Sequence, residues 1–218
     1  MFVSSLIRDD YLAYSDNLKR IWRNPEVNTL QQDLYRSITR DIYKLLFVDV
    51  DVCTCQNDKM LREKLDNHLY ARWINFGTVH GITEYSMICI TGTGEELIKS
   101  VINPFLVHYT EMAKIALIQR ASLVQLEIEI TKVCSNLSNK NEEKEYKKVK
   151  GKQDNNAIPA KRKSIQGIWK DYILFQNQIL LPQVTFQEQG VELYQMLKKK
   201  NKIKKMNEYI GSELDNLH

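Results

Sequence analysis

The sequence predicts an α+β protein: a small mixed sheet with covering helices, leading into a long antiparallel helical hairpin. Three observations carry this. Glycine and proline are sparse, 8 and 4 of 218 residues, and few tight turns disfavour a many-stranded sandwich or barrel and favour long helices. Alternating β-branched and aromatic runs are confined to the N-terminal half. Residues 109–133 carry an apolar repeat of seven, the period of a helix that packs along a seam. The expected division is an α/β domain over 1–104 and a long-helix, coiled-coil region over 105–218 with a flexible basic loop at 138–164.

Each element follows from local pattern. FVSSLI near the N-terminus reads as a short strand, and Asn24-Pro25 as a turn. A helix is expected from Thr29, with Leu30, Leu34, Ile38 and Ile42 on one face and Leu45 next. The run LLFVDVDVCTC predicts a strand over 46–52, and 58–68 a helix with Met60, Leu61, Leu65 and Leu69 as its stripe. Two strands, 70–78 and 82–91, are expected around Gly81. Thr93 followed by Glu96 reads as a capping box, so a helix begins just after Gly92 and pauses near Pro104.

The repeat then sets in. Tyr109, Ala116, Leu123 and Ile130 are seven apart, and Met112, Gln119, Leu126 and Val133 form a second row. They predict a helix over 105–135, roughly 45 Å long at 1.5 Å per residue. The period returns at Ile165, Tyr172 and Ile179, with Ile168 and Phe175 beside them, until Pro182 interrupts it. Met196, Ile203, Ile210 and Leu217 carry it to the end. The chain stops in phase, which reads as a helix that once continued in a longer architecture.

Composition narrows the class. Apolar residues make up 43%, enough for a core, which excludes wholesale disorder. No run approaches the roughly 18 apolar residues of a membrane helix, and the N-terminus lacks the pattern of a signal peptide. Four cysteines without a disulfide framework fit reduced thiols and a cytoplasmic protein. The net charge of +4 is uneven: 140–163 carries nine Lys/Arg against four acids, so the rest of the chain is −1. Lys147, Lys148, Lys150, Lys161, Arg162 and Lys163, with Lys198, Lys199 and Lys200, could contact phosphates of nucleic acid or anionic lipid. Tyr146 is the lone aromatic in the first run, so base stacking has little support, and a solvated basic loop is the plainer reading.

The other chemical motifs are weak. Thr91-Gly92-Thr93-Gly94 could hold an anion at a helix start, but Lys99-Ser100 is misplaced for a phosphate loop. Cys53, Cys55, His68 and His80 offer zinc ligands at spacings that fit no standard site; the ordinary reading is strand-end cysteines and surface histidines. His80 with Glu84 could do acid–base work, yet no nucleophile frame accompanies them. Asp49 and Asp51 would share one face of the expected strand. Arg72-Trp73 stands out as a polar–aromatic pair. Gln119 and Arg120 interrupt an apolar helix, where a polar pair fixes register or binds a partner helix, or where the arginine snorkels at the edge.

Three stretches carry a resemblance: YARWINFGTVHGITEYSMICIT at 70–91, YTEMAKIALIQRASLVQLEIEITKV at 109–133 and VTFQEQGVELYQMLKKK at 184–200. Together they resemble bacterial proteins of CorA-like architecture. The resemblance implies a cytosolic α/β domain, long helices directed at a membrane and a ring of subunits. The two membrane helices and the Gly-Met-Asn signature of that family are absent, so none of its functional residues can be carried over, and a membrane enters only through a longer or separate chain.

The expected function is thus a non-enzymatic oligomerising or sensor module, without a cofactor, in the cytoplasm or at the inner face of the membrane. Tyr109, Met112, Ala116, Gln119, Arg120, Leu123, Leu126 and Ile130 would form the seam with a second copy or a helical partner. The alternative is a nucleic-acid-associated protein that uses the lysine-rich segments.

Overall fold

The fold is that of a computed structural model, which describes residues 2–6, 29–49, 51–92, 94–147 and 164–217, with side chains described over 37–49, 51–92, 94–135 and 164–217. It is α+β. Strand β1 is Phe2–Leu6, followed by helices α1 (Thr29–Phe47) and α2 (Asp58–His68). Then come β2 (Leu69–Tyr70), β3 (Val79–Ile82) and β4 (Ser86–Ile90). The short α3 (Glu95–Leu97) continues through two wide π turns, Ile98–Ile102 and Phe105–Tyr109, into α4 (Thr110–Lys147). Helices α5 (Ile165–Leu174, extended by a π turn over Phe175–Ile179), α6 (Glu188–Lys200) and α7 (Ile203–Leu217) complete the order.

These elements form two compact units. The first comprises Met1–Ile115 with Val184–Asn201, the second Ala116–Gln183 with Lys202–His218. Their boundary falls within α4 rather than at Pro104, and α6 belongs with the sheet.

In the sheet unit the strand order is β1-β4-β3-β2. β1 runs parallel to β4 and the other pairs are antiparallel, so the sheet is mixed. Successive side chains alternate faces. Val79, Ile88 and Ile90 join a core with Ile42 and Leu46 of α1 and Leu61 and Leu65 of α2. Gly81 shares that face because a Cβ there would lie 2.8 Å from Leu46 Cδ1 and 2.9 Å from Ile88 Cγ1. On the other face His80, Ile82, Met87 and Cys89 are buried, with Phe105 and Tyr109 against the His80 ring.

Several expectations change here. The described residues among 46–52 form no strand: α1 runs to Phe47 because Tyr43 and Leu46 continue its buried face. Val48, at φ 54°, then ends the helix, and Asp49 N–H closes back to the Lys44 carbonyl at 2.9 Å, a Schellman-type stop. Met60 is exposed rather than part of the α2 stripe. The β3–β4 turn is Thr83–Tyr85, fixed by Thr83 Oγ1 accepting from Ser86 N–H at 2.9 Å, so Gly81 lies inside β3. Residues 74–76 form a 3-10 turn instead of strand. Gly94 caps α3 without a side-chain bond, and Thr93 lies outside the described residues. Pro104 does not pause the helix; the flanking π turns widen the backbone around its ring.

The helical unit contains α4 from Ala116, α5 and α7. Leu123, Leu126 and Ile130 of α4, Ile168, Tyr172 and Phe175 of α5, and Ile210 and Leu214 of α7 are buried. Gln119 Nε2 donates to the Ile179 carbonyl at 2.8 Å. Tyr172 Oη donates to the Asn207 carbonyl at 3.3 Å, and Gln176 Nε2 to Asn207 Oδ1 at 2.6 Å. Helix α4 runs to Lys147, ten residues into the expected loop, since the Glu and Lys of 142–147 are strong helix formers. The last apolar row is split between α6 and α7 at Asn201-Lys202, where Lys202 adopts φ 56°.

Candidate functional site

The charged and aromatic residues of β2 and the following turn do one structural job. Tyr70 Oη and Arg72 Nη1 both donate to Glu192 Oε2 of α6, the arginine at 2.9 Å, and Arg72 Nη2 donates to Glu188 Oε2 at 2.5 Å. Trp73 Nε1 donates to Gln189 Oε1 at 2.6 Å. The hydroxyl and guanidinium hold the Glu192 carboxyl below its ordinary range. This clamp of four hydrogen bonds fixes α6 beside β2 and its following turn. Its acids, at i and i+4 on one helix face, went unnoticed in the sequence, although that spacing opposite an Arg-Trp pair was the available signal.

His80 is a buried titratable group of the sheet unit. It is 1% exposed, and neither ring nitrogen has a hydrogen-bond partner among the described residues. Tyr70, Phe105 and Tyr109 surround it with centroids 5.9–6.1 Å away, and Cys89 lies opposite on β4. Burial lowers the imidazole to about 4 and raises the Cys89 thiol to about 12. Both are neutral near pH 7, so thiolate–imidazolium nucleophilic chemistry has no footing here. His80 is therefore no surface histidine and has no hydrogen bond to Glu84.

The remaining motifs do not converge. Cys53 Sγ donates to the Cys55 carbonyl at 3.4 Å, and His68 Nδ1 turns back to the Lys64 carbonyl at 2.7 Å. Among the described residues no group of three His, Cys, Asp or Glu is placed to hold a metal ion. Asp49 Oδ2 accepts from Thr54 N–H at 2.9 Å in a turn, not on a strand shared with Asp51. Thr91 spends its hydroxyl on Thr78 at 2.6 Å, and Glu95 and Glu96 put negative charge where an anion would sit. A groove of about 480 Å³ beside α1 is lined by Arg40, Lys44, Asp41 and Asp51, two cations balanced by two acids.

The predicted seam is present but is spent inside the chain. Tyr109 and Met112 are buried in the sheet unit; Ala116, Gln119, Leu123, Leu126 and Ile130 are buried in the helical unit. Arg120 is half-buried at the edge of this row. Of the lysines, Lys147 ends α4, and Lys198, Lys199 and Lys200 form the last turn of α6. Lys198 lies over the Tyr194 ring at 4.7 Å, and burial lowers the pKa of Lys198 and Lys200. Lys148, Lys150, Lys161, Arg162 and Lys163 lie outside the described residues.

A second row on α4 is the surface the structure adds. Leu117, Ala121, Val124 and Ile128 recur at steps of four, three and four, which keeps them on one helix face. That face lies roughly opposite Leu123, Leu126 and Ile130 at 100° per residue. Val124 is 38% exposed, Ile128 42% and neighbouring Ile118 55%. The spacing is legible in the sequence, but both rows are apolar, so periodicity alone does not tell the core-facing row from the outward one.

Comparison with family models, curated proteins and solved structures finds no significant match. No helix of the described residues is long and apolar enough to cross a membrane.

Proposed function

We propose that the chain is a non-enzymatic oligomerising module, and that its association surface is the outward row of α4. One observation carries this: a long helix whose core-facing seam is already filled still presents Ala121, Val124 and Ile128 outward, with Leu117 half-buried at the start of the row. Exposed apolar residues scattered singly are ordinary, but a row recurring along one face of a helix is the pattern of helix–helix pairing. The neutral, buried His80 and Cys89 support a non-enzymatic reading. The resemblance to the cytosolic region of CorA-like proteins fits a ring or pair of subunits beneath a membrane held by another chain. Light scattering across a concentration series tests the proposal. A mass that rises above 25.6 kDa with concentration is expected; a strict monomer throughout overturns it. For the nucleic-acid reading, Lys198 and Lys200 are half-buried on α6 while Lys199 is exposed, and most of the first basic run lies outside the described residues.

A further inference from the structure

We propose that α4 pairs antiparallel with the same helix of a second copy, across a two-fold axis that passes between Ser122 and Leu123. This rests on the oligomerising reading above and adds to it the partner, the orientation and the register.

The argument begins with the outward row. With the axis at that point, Ala121 lies opposite the partner's Val124, and Leu117 opposite the partner's Ile128. Each layer then joins a smaller side chain to a larger one, or two of similar size, and the two-fold repeats both layers. The row from Leu117 to Ile128 spans roughly 16 Å at 1.5 Å per residue, so four layers fill it.

Charge then selects the occupant. Arg120 flanks the row on one side, half-buried, and Glu127 follows on the same flank one heptad later, exposed. In an antiparallel pair the residues on this flank meet each other across the interface. Arg120 therefore faces the partner's Glu127, and Glu127 the partner's Arg120, giving two symmetry-related ion pairs. The patch is thus complementary to itself, as an isologous two-fold contact requires. On the other flank Ile118 meets the partner's Gln125.

A parallel pair fits less well. It stacks Ala121 on the partner's Ala121 and leaves a thin layer beside it. It also places Arg120 against the partner's Gln125, and Glu127 against the partner's Lys132. The arginine loses its carboxylate, and with it the forked geometry that lysine does not replace. Parallel helices also align their macrodipoles, whereas antiparallel ones oppose them.

Charge exchange in the full-length chain tests this by sedimentation velocity, with circular dichroism to confirm folding. Arg120→Glu and Glu127→Arg each place like charges face to face, and each is expected to weaken self-association by about tenfold or more. The double variant R120E/E127R restores the attraction with its signs reversed and should return close to wild type. Ile128→Asp is expected to dissociate the assembly whatever the orientation. If Ile128→Asp dissociates it but the double variant stays as weak as the single ones, the antiparallel register is overturned and the oligomerising reading stands. A wild-type chain that remains monomeric overturns both. Should Arg120→Glu fail to fold, the distance between spin labels on Cys134 of two copies reads the same orientation without altering either charge.

Discussion

The sheet unit and the helical unit solve the burial problem differently. The sheet is covered on both faces: Val79, Ile88 and Ile90 pack with α1 and α2, while His80, Ile82, Met87 and Cys89 are buried on the other side. The helical unit closes only one side of α4, burying Leu123, Leu126 and Ile130 and leaving Val124 and Ile128 outward. In the sheet unit Arg72, Tyr70 and Trp73 are engaged by α6. In the helical unit Arg120 and Glu127 flank the outward row. A unit whose apolar pattern is satisfied within one chain reads as structural, and a unit with a row to spare reads as a place for a partner.

Adjacent residues on α4 offer the sharpest way to break that comparison. Leu123 is fully buried and Val124 is 38% exposed. Leu123→Ala should cost about 2–5 kcal/mol of stability through the cavity it leaves. Val124→Ala should stay within roughly 0.5 kcal/mol while weakening self-association. Urea midpoints and sedimentation on both variants separate the effects, and equal losses of stability would erase the distinction between the faces.

His80 sharpens the sheet side of the contrast. Its folded-state pKa of about 4 lies below the ordinary 6.5, so the unfolded chain binds one more proton between those values. The stabilisation is complete above pH 6.5 and is lost as pH falls toward 4, amounting to roughly 3 kcal/mol. The titratable groups facing the ring are Tyr70, Tyr109 and Cys89, and burial raises the pKa of each. Urea titrations at several pH values should therefore slope upward in wild type and flatten in His80→Leu. An unchanged slope would place the proton uptake elsewhere.

Smaller effects follow. Gly81→Ala sets a methyl 2.8 Å from Leu46 Cδ1 and should cost about 1–3 kcal/mol by overpacking, read as a lower urea midpoint. Arg72→Ala should have the smallest effect, because the clamp to Glu188 and Glu192 lies at the surface. Its loss of stability should be clear in low salt and shrink in high salt.

Much of the fold was legible in local pattern. The α1 start at Thr29, the span of α2, the hydrophobic β3–β4 region and the break before Pro182 follow from period and turn chemistry. The failures have physical causes. The VDVDV run has strand composition, but the buried face of α1 carries the helix right up to it, to Phe47, and Val48 is left to end the helix at positive φ. Pro104 looked like a break because an α-helix cannot accept its ring, whereas a π turn can. Glu and Lys after 138 looked like loop because they bury nothing, yet they are good helix formers. The seam residues were legible too, but a heptad row does not say whether its partner lies in the same chain or another. Burial of Leu123, Leu126 and Ile130 answers that for the first row, and exposure of Val124 and Ile128 sets the second apart.

The pairing of α4 with a second copy is tested most directly by the distance between spin labels on Cys134. This cysteine is half-buried on α4, while Cys53, Cys55 and Cys89 are buried, so it should label first. Around an axis between Ser122 and Leu123 the two Cys134 backbones lie roughly 35 Å apart along the helices, at 1.5 Å per residue. A distribution centred near about 35 Å is expected. A distance below about 20 Å would indicate parallel helices, and the absence of any intermolecular distance at high concentration would contradict the pairing itself.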